Sequence, residues 1–128
     1  MKFSTPTSPD VESRSRSSFD RIHTVTSDSF EKAVLHAKGP VVAEFMSYGC
    51  SHCRAMEPIL QEVAGMVAPD ETIFRVNVGV EQQLMDDYQV RGTPTLIMFL
   101  DGREVSRVEG PRPIVSTVLA AVTEPFKQ

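Results

Sequence analysis

Short apolar runs rich in β-branched residues alternate with helix-period segments along most of the chain. Near the end the alternation breaks, where two such runs are separated only by Asp101-Gly102. That order constrains the fold more than any compositional figure. Strands separated by helices pair in parallel, whereas a two-residue Asp-Gly turn forces an antiparallel hairpin. Ile22–Val25 reads as a short strand, and Ser27-Asp28 offers a helix start with Glu31 three residues after Asp28 in a box-like arrangement. Phe30, Ala33, Val34 and Ala37 share one face of that helix, which Gly39-Pro40 ends. Val41–Met46 is a nearly continuous apolar run, the pattern of a strand buried on both sides. A helix over about 50–67 follows, with Pro58 inside it, where the ring should kink the axis. Thr72–Val78, Thr95–Leu100 and Glu104–Val108 read as further strands and Glu81–Tyr88 as a short helix. Pro113 suits the first turn of a last helix with Ile114, Val118, Leu119 and Val122 on its buried face. The expectation is an α/β domain with a mixed central sheet of four to five strands flanked by helices.

Length and charge narrow the function. A chain of 128 residues suits one domain able to bury its own core. Seventeen acidic against 13 basic residues, a net charge of −4, disfavour a nucleic-acid binder, which needs a basic face. The longest apolar run, Leu96–Leu100, is far short of a membrane span. Residues 1–18 hold six Ser, two Thr and two Pro with only Met1, Phe3 and Val11 apolar, so a flexible polar tail is expected there and the folded domain over 19–128. Arg14 and Arg16 among the serines are a docking site or a solvated leader. The polar start after Met1-Lys2-Phe3 lacks the apolar stretch of a signal peptide, so the expected address is cytoplasmic, or periplasmic if a leader has been removed. A monomer is the default for one fold of this size.

The chemistry lies in Cys50-Ser51-His52-Cys53, the chain's only two cysteines, which exclude a disulfide-stapled scaffold. They follow a buried strand and open a helix, where free backbone N–H groups and the helix dipole favour an anion. The thiolate attacks in disulfide exchange, so Cys50 is the expected nucleophile. Cys53, one turn deeper and more shielded, is the expected resolving thiol. His52 adds positive charge beside Cys50, with Arg54 at longer range, and a stabilised thiolate makes the pair a better oxidant. Zinc is the competing reading of a C-x-x-C, but a structural site needs about four ligands. His23, His36 and His52 have no second half-site spacing, and the strand-then-helix context favours redox chemistry.

Residues 19–128 resemble a thioredoxin-fold protein of the thioredoxin-like family. The resemblance rests on Val41-Val42-Ala43-Glu44-Phe45, Cys50-Ser51-His52-Cys53-Arg54, Pro58, Arg91-Gly92-Thr93-Pro94-Thr95-Leu96 and Asp101-Gly102 followed by Gly110, in that order and spacing. It implies the thioredoxin fold and a dithiol–disulfide oxidoreductase acting on protein disulfides or dithiols together with a redox partner, a reductase or an oxidase. Electrons pass through cysteine, so no organic cofactor and no metal is expected. The resemblance makes Pro94 a cis-proline against the cysteines and leaves the Thr93 backbone to pair with an extended substrate chain; the plainer alternative is a proline that begins a strand. Glu44 matches a buried acid beneath the site, a proton relay to Cys53 or else an ion-pair partner of Arg75, which stands where the family often has lysine.

Departures from the family pattern carry expectations too. Gly49 stands where the family has tryptophan, the chain has none at all, and Met46 replaces another aromatic. Tyr48 either covers the site in that tryptophan's place or packs. Ser51 departs from the common glycine or proline pairing and lines the expected substrate surface with Tyr48. His52 and Thr93 are closer to disulfide isomerases and oxidising relatives. His52 therefore predicts a potential of roughly −150 to −230 mV, against about −270 mV for thioredoxin. A thioredoxin-fold binding module or holdase with a regulatory disulfide is the alternative from another class.

Overall fold

The computed structural model describes residues 20–127, so the expected tail over 1–18 lies outside the described residues. Five strands form one sheet in the order β1-β3-β2-β4-β5: β1 (His23–Thr24), β2 (Pro40–Met46), β3 (Thr72–Asn77), β4 (Thr95–Leu100) and β5 (Arg103–Glu109). β3 runs parallel to both β1 and β2, while β4 is antiparallel to β2 and β5 to β4. The helices are α1 (Ser27–Phe30, continued as a π-turn over Glu31–Leu35), α2 (Ser51–Val67), α3 (Gln82–Asp87) and α4 (Val115–Thr123). The mixed sheet flanked by helices is the architecture expected from the order of elements. Among the described residues no helix is long and apolar enough to cross a membrane.

Central β2 divides the core by its own alternation. Val41, Ala43 and Phe45 face one side and pack with Phe30, Val34, Leu84, Ile97 and Phe99, which seat α1 and α3. Val42 faces the other, with Met56, Leu60, Val63, Leu96, Val118 and Val122, which seat α2 and α4. Glu44 follows Val42 by two residues and therefore points to the α2 side. Arg75, which follows Ile73 by two, does so as well.

Two local expectations are corrected. The box at the start of α1 is built two residues earlier than Asp28 and Glu31: Thr26 is the N-cap and its N–H donates to Ser29 Oγ at 3.0 Å. Thr26 and a serine three residues on form the reciprocal box expected of the acid pair, and it serves the N–H groups of Thr26 and Ser29 instead. α4 begins at Val115 with Ile114 as N-cap, so Pro113 precedes the helix instead of opening it. Ile114 is consequently exposed, while Val118 and Val122 are buried and Leu119 is packed against them. The hairpin turn is as expected: Asp101 and Gly102 both take positive φ (51° and 82°), as a two-residue primed turn demands.

Candidate active site

β2 ends at Met46 and a short turn carries the chain into α2, so Cys50 becomes the N-cap of that helix. The Cys53 N–H donates to Cys50 Sγ at 3.1 Å, one of the orphan donors that a helix start leaves free. Both cysteines are thiols, Cys50 partly exposed and Cys53 buried. Cys50 Sγ also lies 3.6 Å from the Thr93 carbonyl oxygen, to which its S–H donates. Burial opposes ionisation of Cys50, but hydrogen bonds from the Cys53 thiol, from the Thr93 side chain and from the backbone N–H groups of Cys53 and His52 outweigh it, and its pKa falls below 9.0. Cys53 moves the other way. Burial first, and then its bond to Cys50, push its thiol up to about 11.

Opposite the cysteines, the Thr93–Pro94 peptide is cis and Pro94 is buried. The Pro94 carbonyl accepts the Gly110 N–H at 2.8 Å, and Thr95 Oγ1 donates to the Gly92 carbonyl at 2.7 Å, which pin the loop before β4. An open groove of about 450 Å³ runs along Gly92, Thr93, Pro94 and Gly110, with the Arg91–Glu109 ion pair (3.1 Å) at its edge.

His52 lies in the first turn of α2, and its ring turns to the loop after β5, where Nε2 donates to the Pro111 carbonyl at 2.9 Å. Gly110, at φ +55°, turns the chain that presents this carbonyl. Ser51 is exposed at the first position of α2. Tyr48 is 61% exposed, and its carbonyl accepts Arg54 Nη1 at 3.1 Å.

Glu44 is wholly buried, and neither carboxylate oxygen has a hydrogen-bond partner among the described residues. Burial, reinforced by the nearby Glu57 carboxylate and only partly offset by Arg75, pushes its pKa up to about 8. The ion pair with Arg75 that the sequence left open is not made. Arg75 Nη2 reaches Glu57 Oε2 at 2.7 Å, and Nη1 reaches Asp20 Oδ2 at 3.3 Å and the Ile22 carbonyl at 3.1 Å. Asp20, Cys53, Glu57 and Arg75 line one cleft of about 440 Å³ on the α2 side, with Tyr48 at its mouth.

Glu57 and Asp20 were not singled out by the sequence reading. A signal for Glu57 exists: Cys53, Glu57 and Gln61 recur at intervals of four and so share one face of α2, and Gln61 Nε2 donates to Glu57 Oε2 at 2.9 Å. Asp20 has none, because its link to Arg75 spans 55 residues. No cluster of three or more His, Cys, Asp or Glu side chains able to hold a metal occurs among the described residues.

The family model described as Thioredoxin matches residues 21–121. A thioredoxin of Mycobacterium tuberculosis is 35% identical over 88 residues, covering 69% of this chain and 76% of that one. A thioredoxin of Pseudomonas aeruginosa is 37% identical over 83 residues, covering 65% and 77%. The protein disulfide isomerase-like 2-3 of rice is 31% identical over 98 residues, which cover 74% of this chain and 22% of the relative. Among solved structures, a single-site mutant of a thioredoxin from Halobacterium salinarum superposes with a TM-score of 0.74 at 26% identity, covering 85% of this chain and 94% of that one.

Proposed function

The chain belongs to the thioredoxin family and is a thiol–disulfide oxidoreductase, and from that premise we propose how its residues divide the work. Cys50 is the nucleophile. Its thiolate attacks one sulfur of a substrate disulfide, forming a Cys50–substrate bond and releasing the other sulfur as a thiolate that takes a proton from solvent. Cys53 then loses its proton to Glu44 in its carboxylate form, the minor form near neutrality and the major one above about pH 8, and attacks Cys50 Sγ. The Cys50–Cys53 bond forms, the mixed disulfide breaks, and the substrate leaves with both electrons of the dithiol. In the oxidising direction every step reverses. The observation that carries this assignment is the asymmetry of the pair: Cys50 Sγ is at the helix start with a backbone N–H 3.1 Å away, while Cys53 is buried with its thiol held protonated.

Thr93 and Pro94 form the wall along which an extended substrate chain lies, with Ser51 and Tyr48 on the opposite rim. The buried, unpartnered carboxyl of Glu44 supports it as the proton carrier, since a carboxyl near pKa 8 exchanges protons at working pH. The site runs without a bound cofactor, and the chain works as a monomer on protein partners.

His52 tilts the site toward oxidation, giving the roughly −150 to −230 mV expected from the motif. A cytoplasmic address, which we also propose, keeps such a site reduced at rest, because the glutathione pool lies at more negative potential. Equilibration with a glutathione series tests the tilt, and a value near −270 mV refutes it. Insulin-disulfide turnover tests the division of labour. Cys50→Ser abolishes it, and Cys53→Ser traps a mixed disulfide through Cys50. Turnover by the doubly substituted protein overturns the assignment, and partner capture unchanged in that protein favours a binding module.

A further inference from the structure

The most unusual polar feature outside the cysteines is a counter-ion that is in register but not engaged. Glu44 and Arg75 are Cα partners across the parallel β2–β3 pair, and the alternation of both strands puts their side chains on the α2 side. A carboxylate and a guanidinium so placed ordinarily form a hydrogen-bonded pair, since each leaves the other's buried polar atoms satisfied. Here both Glu44 oxygens and Arg75 Nε are buried without a partner among the described residues. The guanidinium is committed elsewhere. Glu57 takes Nη2 at 2.7 Å, and Asp20 and the Ile22 carbonyl take Nη1. Glu57 is itself braced by Gln61 at 2.9 Å, and Gln61 also bonds Asp20. The result is a polar clamp from α2 and the chain before β1, closing on Arg75 along the same cleft that Cys53 lines.

We infer that Glu57 is a positioning residue for the resolving step: by holding the Arg75 guanidinium on the α2 side of the cleft, it withholds the counter-ion in register with Glu44 and leaves Glu44 able to carry a proton for Cys53. This rests on the reading of Glu44 as the proton carrier. The charged and titratable groups around Glu44 take consistent places, with Arg54 and Tyr48 lining the same cleft and Arg54 Nη1 donating to the Tyr48 carbonyl. β3 contributes Arg75, α2 contributes Cys50, Cys53 and Glu57, and the segment before β1 contributes Asp20 through Arg75; β4 opposes Glu44 with uncharged Leu96. Glu57 acts twice on the same group. Its own negative charge disfavours a second carboxylate nearby, and its ion pair neutralises the cation that would favour one. Without it, Arg75 is free to turn to Glu44, whose carboxylate then becomes a weaker base and takes the Cys53 proton less readily. The resolving step itself is unchanged in its bonds: Cys53 S–H gives its proton to the Glu44 carboxylate, Cys53 attacks Cys50 Sγ, and the substrate thiolate departs with the electron pair of the broken mixed disulfide.

The test compares wild type, Glu57→Gln, Glu57→Asp and Glu44→Gln by two readouts. The first is the titration of the Glu44 carboxyl, followed by carbonyl-carbon NMR and assigned by its loss in Glu44→Gln. The second is the pH profile of release from a mixed disulfide between Cys50 and a peptide thiol. Glu57→Gln should lower the Glu44 midpoint by about one to three pH units, the usual effect of an opposite charge brought within contact range. The release profile should shift in the same direction, and Glu57→Asp should recover most of both. A Glu44 midpoint unmoved in Glu57→Gln, beside a release profile that Glu44→Gln does alter, overturns the role of Glu57 alone. A release profile indifferent to Glu44→Gln overturns the proton-carrier reading and this inference with it. A changed melting temperature with both pH readouts unmoved assigns Glu57 to structure only and overturns the inference.

Discussion

Replacing Glu44 by Gln should shift resistance to unfolding in the variant's favour progressively as pH rises through neutrality. In the unfolded chain this carboxyl titrates at its ordinary value of 4.5, whereas burial holds it at about 8 in the fold. Between those values the folded state binds a proton that the unfolded state has released. Stability therefore falls as pH rises, from just above the unfolded value until the folded group ionises. The side chain has no exposure, so solvent does not dilute the effect. At about 1.4 kcal/mol per pH unit over an interval of about 3.5 units, the full cost is on the order of 5 kcal/mol, of which about 3 kcal/mol is present at pH 7. That is a large part of a typical domain's stability, and glutamine, which cannot titrate, does not incur it. The assay is urea unfolding of the reduced wild type and variant across a pH series from about 5 to about 9. Both retain a buried polar group, so the baseline difference is uninformative, and the growth of the difference with pH is the quantity of interest. A constant difference, or a wild type that gains on the variant as pH rises, would refute the claim that Glu44 is buried as a neutral acid.

The cysteine pair should discriminate between reagents by protonation alone. Iodoacetamide at neutral pH should label Cys50, whose pKa lies below 9.0, and leave Cys53, near 11, to be labelled only in strong alkali or after unfolding; peptide mass spectrometry reads the site. Equal labelling of both at neutral pH would remove the basis for distinct roles. Gly102→Ala should destabilise the fold by about 2–4 kcal/mol, since a Cβ there would stand 2.1 Å from the Leu35 carbonyl oxygen at φ +82°. A melting temperature within about 2 °C of wild type would show that the hairpin and the end of the π-turn separate freely.

Legibility in the sequence followed the range of the interaction. Periodicity of two and of 3.6 placed the strands and helices because those patterns depend on residues a few positions apart, and the Asp101-Gly102 turn carries its own conformational requirement. The two misplaced helix starts have a local cause. Thr26 and Asp28 are both competent caps within three residues of one another, and Pro113 is as acceptable just ahead of a helix as inside its first turn. Propensity does not separate such neighbours. Packing does, through whichever start brings Phe30 or Val118 against the sheet.

The candidate site divides along the same line. Cys50, Cys53 and their helix-start chemistry are contiguous, so residue order alone places a thiol at free backbone donors. The electrostatic state of Glu44 is not contiguous with anything. Beyond burial it depends on whether Arg75 faces Glu44 or Glu57, a choice fixed by Asp20, Gln61 and the Ile22 carbonyl; Asp20 and Gln61 lie 41 residues apart and meet only once β1, β3 and α2 are packed. Beside a proton relay, the sequence left open a Glu44–Arg75 pair, because the two are opposite charges on largely apolar strands. Such a pair would make Glu44 a fixed carboxylate and a poor proton carrier. The structure reverses that sign by supplying Arg75 with better-exposed partners: Glu57 and Asp20 keep side-chain exposures of 36% and 47%, and so ionise at far lower desolvation cost than the wholly buried Glu44. A guanidinium offered both choices pairs with the carboxylates that remain charged cheaply, and Glu44, already disfavoured as an anion by burial, is left the stronger base by that competition.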